Sequence, residues 1–151
     1  MTEIIQELFT RPEEVTEYFY RRLLANASYL GLEFVGAYGE IMISGYPAVI
    51  INATELDKEL HGTHTYLVRL RRELYIYHGS IQLTRAKRSL ADLQLATTIV
   101  DFMEEDMTLG GKIIHGYVSS ESPAASQIGG NKNDVVVSTR IDWEGITERR
   151  F

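Results

Sequence analysis

Cysteine is absent, so disulfide frameworks, thiol nucleophiles and cysteine-ligated zinc are all excluded. There are only 3 prolines in 151 residues, too few for a proline-rich linker or recognition arm. No apolar run approaches the roughly 18 to 20 residues that cross a bilayer as a helix, which disfavours a membrane partner. The opening "MTEIIQELFTRPEE" has neither a basic region nor a small-residue cleavage site, so the expected setting is a cytoplasm. Positive charge is in deficit, 15 Lys+Arg against 21 Asp+Glu, and a formal net charge of -6 works against sequence-independent attraction to a nucleic-acid backbone. With 44% hydrophobic and 24% charged residues the chain is an ordinary globular sequence, long enough for one domain over 1–151 with its own core.

Periodicity predicts the elements. Val15, Phe19, Leu23, Ala27 and Leu30 recur at helical spacing, and Thr10 with Glu13 suggests a capping box. A helix is expected over about 11–29, with a short helical lead-in at 3–9. "EFVGAYGEIMIS" and "YPAVIINA" read as adjacent antiparallel strands, the second covered on both faces because Ala48-Val49-Ile50-Ile51 is unbroken. Over 65–78, Tyr66, Val68, Leu70, Leu74 and Ile76 share one face, while Arg69, Arg71, Glu73, Tyr75 and Tyr77 share the other. Arg72 falls on the apolar face, where a bulge or bend is expected, or else a strand that projects beyond its domain.

A second helix is expected from Ser89, with Leu90, Leu93, Ala96 or Thr97, Val100 and Met103 as its stripe, ending near Met107 or Thr108. Two further strands follow, and Val135, Val137, Thr139, Ile141 and Trp143 alternate inward in the last. Between them, 119–133 is nearly free of apolar side chains and reads as a flexible insertion, with Ser119, Ser120, Gln127, Ile128, Asn131 and Lys132 as its partner-binding candidates. The resulting fold class is α+β: a mainly antiparallel sheet of about four to six strands packed by two long helices.

Chemistry is sparse. Gly110 and Gly111 follow a helix instead of opening one, and the acidic Asp101, Glu104, Glu105 and Asp106 beside them repel phosphate. The pair reads as a structural turn, with glycine supplying positive φ. His61 and His64, near Asp57 and Glu59, are the best metal candidates, but their spacing fits no standard ligand pattern and an exposed loop is the simpler reading. No serine sits in a nucleophile elbow. Arg69, Arg71, Tyr75 and Tyr77 could stack single-stranded nucleic acid, yet the solvent face of any antiparallel sheet collects such residues, and a protein interface is the favoured reading.

Three segments in order, "YPAVIINATE" at 46–55, "FMEEDMTLGGK" at 102–112 and "VVVSTRIDWEGITER" at 135–149, resemble the tail terminator (tail completion) proteins of tailed bacteriophages. The resemblance covers the order of elements over nearly the whole chain. It implies a homo-oligomeric, hexameric ring that caps the tail tube, stops its polymerisation and offers a surface to the head connector. It also implies no enzyme activity and no cofactor, with a place at the virion's head–tail junction after assembly in the host cytoplasm. Genome DNA would pass through such a ring without sequence-specific contact. The alternatives are a head-side neck protein or another ring-forming tail component, and, less favoured, a small metal-dependent hydrolase.

Overall fold

A computed structural model describes residues 8–9, 11–37, 44–60, 65–82, 90–127 and 134–150. Among them the chain runs α1 (Pro12–Ala25), α2 (Ala27–Leu30), β1 (Phe34–Ala37), β2 (Ala48–Leu60), β3 (Thr65–Gln82), α3 (Leu90–Glu104), β4 (His115–Gln127) and β5 (Asp134–Arg150). The strands form one five-stranded sheet in the order β1-β2-β3-β5-β4, and the architecture is α+β. The helices that pack on it have 14 and 15 residues, while α2 is a single turn of 4.

The expected stripe holds across both helices: Val15, Phe19 and Leu23 of α1 and Leu30 of α2 are all buried. Helix α1 is interrupted at Asn26, whose side-chain amide donates to the Arg22 carbonyl at 2.8 Å, and the chain restarts as α2 before Gly31 closes it at φ 76°. The cap lies one residue later than Thr10 and Glu13 suggest: the Arg11 N–H donates to Glu14 Oε1 at 3.2 Å. The lead-in expected at 3–9 lies outside the described residues apart from 8 and 9, which carry no regular structure.

The sheet departs from expectation in direction. β1 pairs with β2 in parallel, from Phe34 opposite Ala48 to Ala37 opposite Ile51. Side-chain alternation identifies a strand without giving its sense. The other pairings are antiparallel. Ala48, Val49, Ile50 and Ile51 are all buried, so this part of β2 is covered on both faces.

β3 is longer than expected, 18 residues reaching Gln82. At about 3.3 Å per residue it spans roughly 60 Å, against about 22 Å for α3, so neither helix alone covers its length. Its inner face is buried from Val68 through Leu70, Arg72, Leu74 and Ile76 to His78. β3 stays regular at Arg72, which is paired with Ala53 and Trp143, and the irregularity lies in β2, between Ala53 and Leu56. The Arg72 guanidinium thus reaches the core in an unbroken strand, with Nη1 donating to the Arg71 carbonyl at 2.5 Å.

The expected insertion is largely strand. Residues Ser120–Gln127 of β4 pair with Asp142–Val135 of β5, and a bulge at Ser119 separates them from the His115–Val118 half. β4 is built on one neighbour at the sheet margin, so backbone pairing replaces the apolar content that a central strand would need. Helix α3 is also rotated from its expected stripe. Ala96, Ile99, Phe102 and Met103 are buried, whereas Leu90 is 72% and Leu93 40% exposed. Apolar residues lie on most sides of this helix, so the face that packs into the core cluster sets its orientation, with Arg22 stacked over Phe102 at 4.0 Å beside it.

Trp143 locks the core to the sheet. It is 2% exposed and meets Phe19 edge-on at 4.9 Å and 81°. Its ring lies over the cross-strand pair Gly116 and Gly145, where an added Cβ would come within 2.4 Å and 2.2 Å of it.

Candidate functional site

Pleating sends alternate residues of β3, β5 and β4 to the face away from the helices. The register brings Arg71 opposite Glu144, Glu73 opposite Asp142, Tyr75 opposite Arg140 and Tyr117 opposite Glu144. Arg71 Nε lies 3.3 Å from Glu144 Oε1, and the Tyr117 hydroxyl donates to the other oxygen of Glu144 at 2.8 Å. Arg140 binds Glu73 at 2.6 Å and Asp142 at 2.9 Å. Ser120 Oγ donates to Asp142 at 2.7 Å, and the Tyr75 hydroxyl donates to Glu73 at 3.3 Å. Tyr75 and Tyr77 stack with centroids 6.2 Å apart and planes 24° apart, and His115 stacks on Tyr117.

All four residues singled out on β3, Arg69, Arg71, Tyr75 and Tyr77, therefore share this outer face, as alternation requires. Sequence reasoning missed Arg140, Asp142, Glu144 and Tyr117, although the outward positions of β5 were available from the same period of two. Burial, then the Glu73 charge, holds the Tyr75 hydroxyl above its ordinary pKa, and burial does the same for Tyr77. The bond to Glu144 raises that of Tyr117.

Solvent screens exposed ion pairs of this kind and leaves them little net stabilisation, so their main effect is to fix long side chains in place before any partner arrives. Positive and negative groups alternate, which suits neither a polyanion nor a cation. Two shallow hollows flank the Arg71–Glu144 pair. One, of about 250 Å³, includes Glu73, Ser119, Arg140 and Asp142, and the other, of about 140 Å³, includes Arg69, Tyr117 and Ile146.

Gly110 and Gly111 form the structural turn expected of them, but the helix ends earlier, at Glu104. Leu109, Gly110 and Gly111 have φ of 49°, 68° and 82°. Asp106, one of the acidic cluster, organises the turn: its carboxylate accepts the Gly110 N–H at 3.0 Å and the Tyr18 hydroxyl. Burial, the bond to Asp106 and its charge push the Tyr18 pKa up to about 12, against a smaller opposing pull from Arg22. Partial burial works to raise the Asp106 pKa, but the bonds from Gly110 and Tyr18 and the charge of Arg22 prevail and lower it.

A pH dependence follows. A folded pKa above the unfolded 10.0 means that Tyr18 adds stability below pH 10.0, which is lost as pH rises towards about 12. Asp106 acts in the opposite sense, adding stability that is lost as pH falls below 3.8 through its folded pKa. Tyr18→Phe should flatten the alkaline limb of a stability–pH curve measured by urea unfolding. An unchanged limb would assign it to another tyrosine.

Of the residues expected to form a flexible partner loop, Ser119, Ser120 and Gln127 lie in β4, while Ile128, Asn131 and Lys132 lie outside the described residues. His61 and His64 also lie outside them. Among the described residues, no group of three or more His, Asp or Glu side chains is placed to hold a metal ion, and no helix is long and apolar enough to cross a membrane. No family model matches the chain, and no curated protein matches it.

Proposed function

We propose that this chain is a structural virion protein of the tail-terminator kind, forming a closed, hexameric ring at the head–tail junction that ends tail-tube polymerisation and receives the head connector. The observation that carries the reading is the outer sheet face, where arginine and tyrosine side chains from three strands are already fixed by mutual contacts. Arg and Tyr are the side chains that supply hot spots at protein contacts. The reading also rests on the three segments that resemble the family in sequence. One enters β2 and runs through its first half, one spans the end of α3 and its turn, and one makes up most of β5, a strand with a neighbour on each side. The reading assigns no reaction and no cofactor, and its partners are further copies of the chain, the tail-tube protein and the connector.

Replacing Arg69, Arg71, Tyr75 and Tyr77 together by alanine should weaken ring formation and leave a folded monomer. Tyr75 and Tyr77 are half-buried, so the double variant Arg69→Ala/Arg71→Ala separates assembly from folding. Sedimentation that is unchanged in both variants would reject this face as the contact. Particles assembled without the protein should carry overlong tails, whereas normal tails that fail to join heads would point to a neck protein.

A further inference from the structure

Opposite β5, Tyr77 and Gly79 pair with the consecutive residues Ser138 and Val137, so His78 is the extra residue of a bulge. The bulge leaves His78 without a directly opposed residue on β5, while the side chain keeps to the inner face of the even-numbered series. Here the imidazole enters the core side, with 2% of the side chain exposed. Nε2 lies 2.8 Å from Oγ1 of the fully buried Thr139, and Nδ1 lies 3.6 Å from Oδ1 of Asp92 in the first turn of α3. One ring thus touches β3, β5 and α3.

The two contacts respond differently to a proton. The Thr139 hydroxyl donates to Nε2 of a neutral ring or accepts from a charged one, so it favours neither state. Asp92 distinguishes them: at 3.6 Å the approach is long for a neutral hydrogen bond but close for an ion pair. Among the described residues, Asp92 is the charged group that approaches the ring from α3, and β5 presents the neutral Thr139. Burial opposes a charged imidazole, but beside a carboxylate the charged ring completes a neutral pair.

We infer that His78 and Asp92 form a proton-operated latch that fastens the first turn of α3 to the sheet, tight when the imidazole is charged and slack when it is neutral. The latch does not depend on ring assembly. Backbone amide exchange of Gln94–Ala96 in the full chain, corrected for intrinsic rates, should be several-fold slower at about pH 5.5 than at about pH 8, the range over which imidazole titrates. Asp92→Asn should abolish that difference while retaining the fold. Protection that does not change with pH, or that changes equally in Asp92→Asn, would overturn the inference. So would an imidazole shown by nitrogen NMR of the unaltered protein to stay neutral at the lower pH.

Discussion

A single methyl group at position 145 is expected to lower stability by roughly 1–3 kcal/mol or more, the cost of overpacking a filled core. The sign is informative, because replacing a strand glycine by alanine ordinarily stabilises by roughly 0.5–1 kcal/mol. Here the added Cβ of Gly145→Ala would meet Trp143 Cη2 at 2.2 Å, and that of Gly116→Ala would meet Cζ2 at 2.4 Å and the Ile113 Cδ1 at 3.0 Å. Phe19, edge-on at 4.9 Å, leaves the indole little room to retreat. Trp143→Ala alone should cost about 3–5 kcal/mol. Because it removes the obstacle, Gly145→Ala should then cost little in that background, giving strong coupling in a double-mutant cycle followed by urea unfolding. Equal penalties in both backgrounds would mean that the ring is not the obstacle.

Valine at Gly110 or Gly111 should also destabilise, by roughly 1–3 kcal/mol, because a β-branched side chain strongly disfavours positive φ. The observed values of 68° and 82° place both glycines in that region. At Gly110 the nearest atom to an added Cβ, the Tyr18 hydroxyl, is 3.8 Å away, so the penalty there comes from the backbone and not from a clash. Asparagine, which tolerates left-handed backbone, should therefore be milder than valine at either position. A lower melting temperature in a protein that binds no ATP or GTP at any stage is the expected result. Nucleotide binding that these variants lose without a change in melting would restore the phosphate-loop reading.

Much of the architecture could be read from side-chain period. The inner stripe of α1, the two faces of β3 and the inward residues of β5 all follow from spacing, because burial on one side leaves a repeating mark. What period cannot carry is direction, and β1 and β2 are parallel where adjacent antiparallel strands were expected. Nor does it mark a marginal strand rich in serine and alanine, whose order comes from backbone bonds to a neighbour instead of burial. At Arg72 the expected irregularity was real but belonged to the strand across from it. On the candidate site, alternation found the β3 residues and could equally have found Arg140, Asp142 and Glu144. His78 carried a usable signal too, since it continues the even-numbered series from Val68 to Ile76. Its contact with Asp92, in a different element, had none.

The margin of the sheet bears on solubility. Among the described residues β4, 13 residues long, is bonded to one neighbour, and such a margin is a long template on which extended segments of other chains could polymerise. The bulge at Ser119 turns that template partway along, and Pro123 withdraws one amide donor from it. What remains for an incoming strand is two short stretches out of line with each other. Amyloid-like growth through this margin is thereby disfavoured.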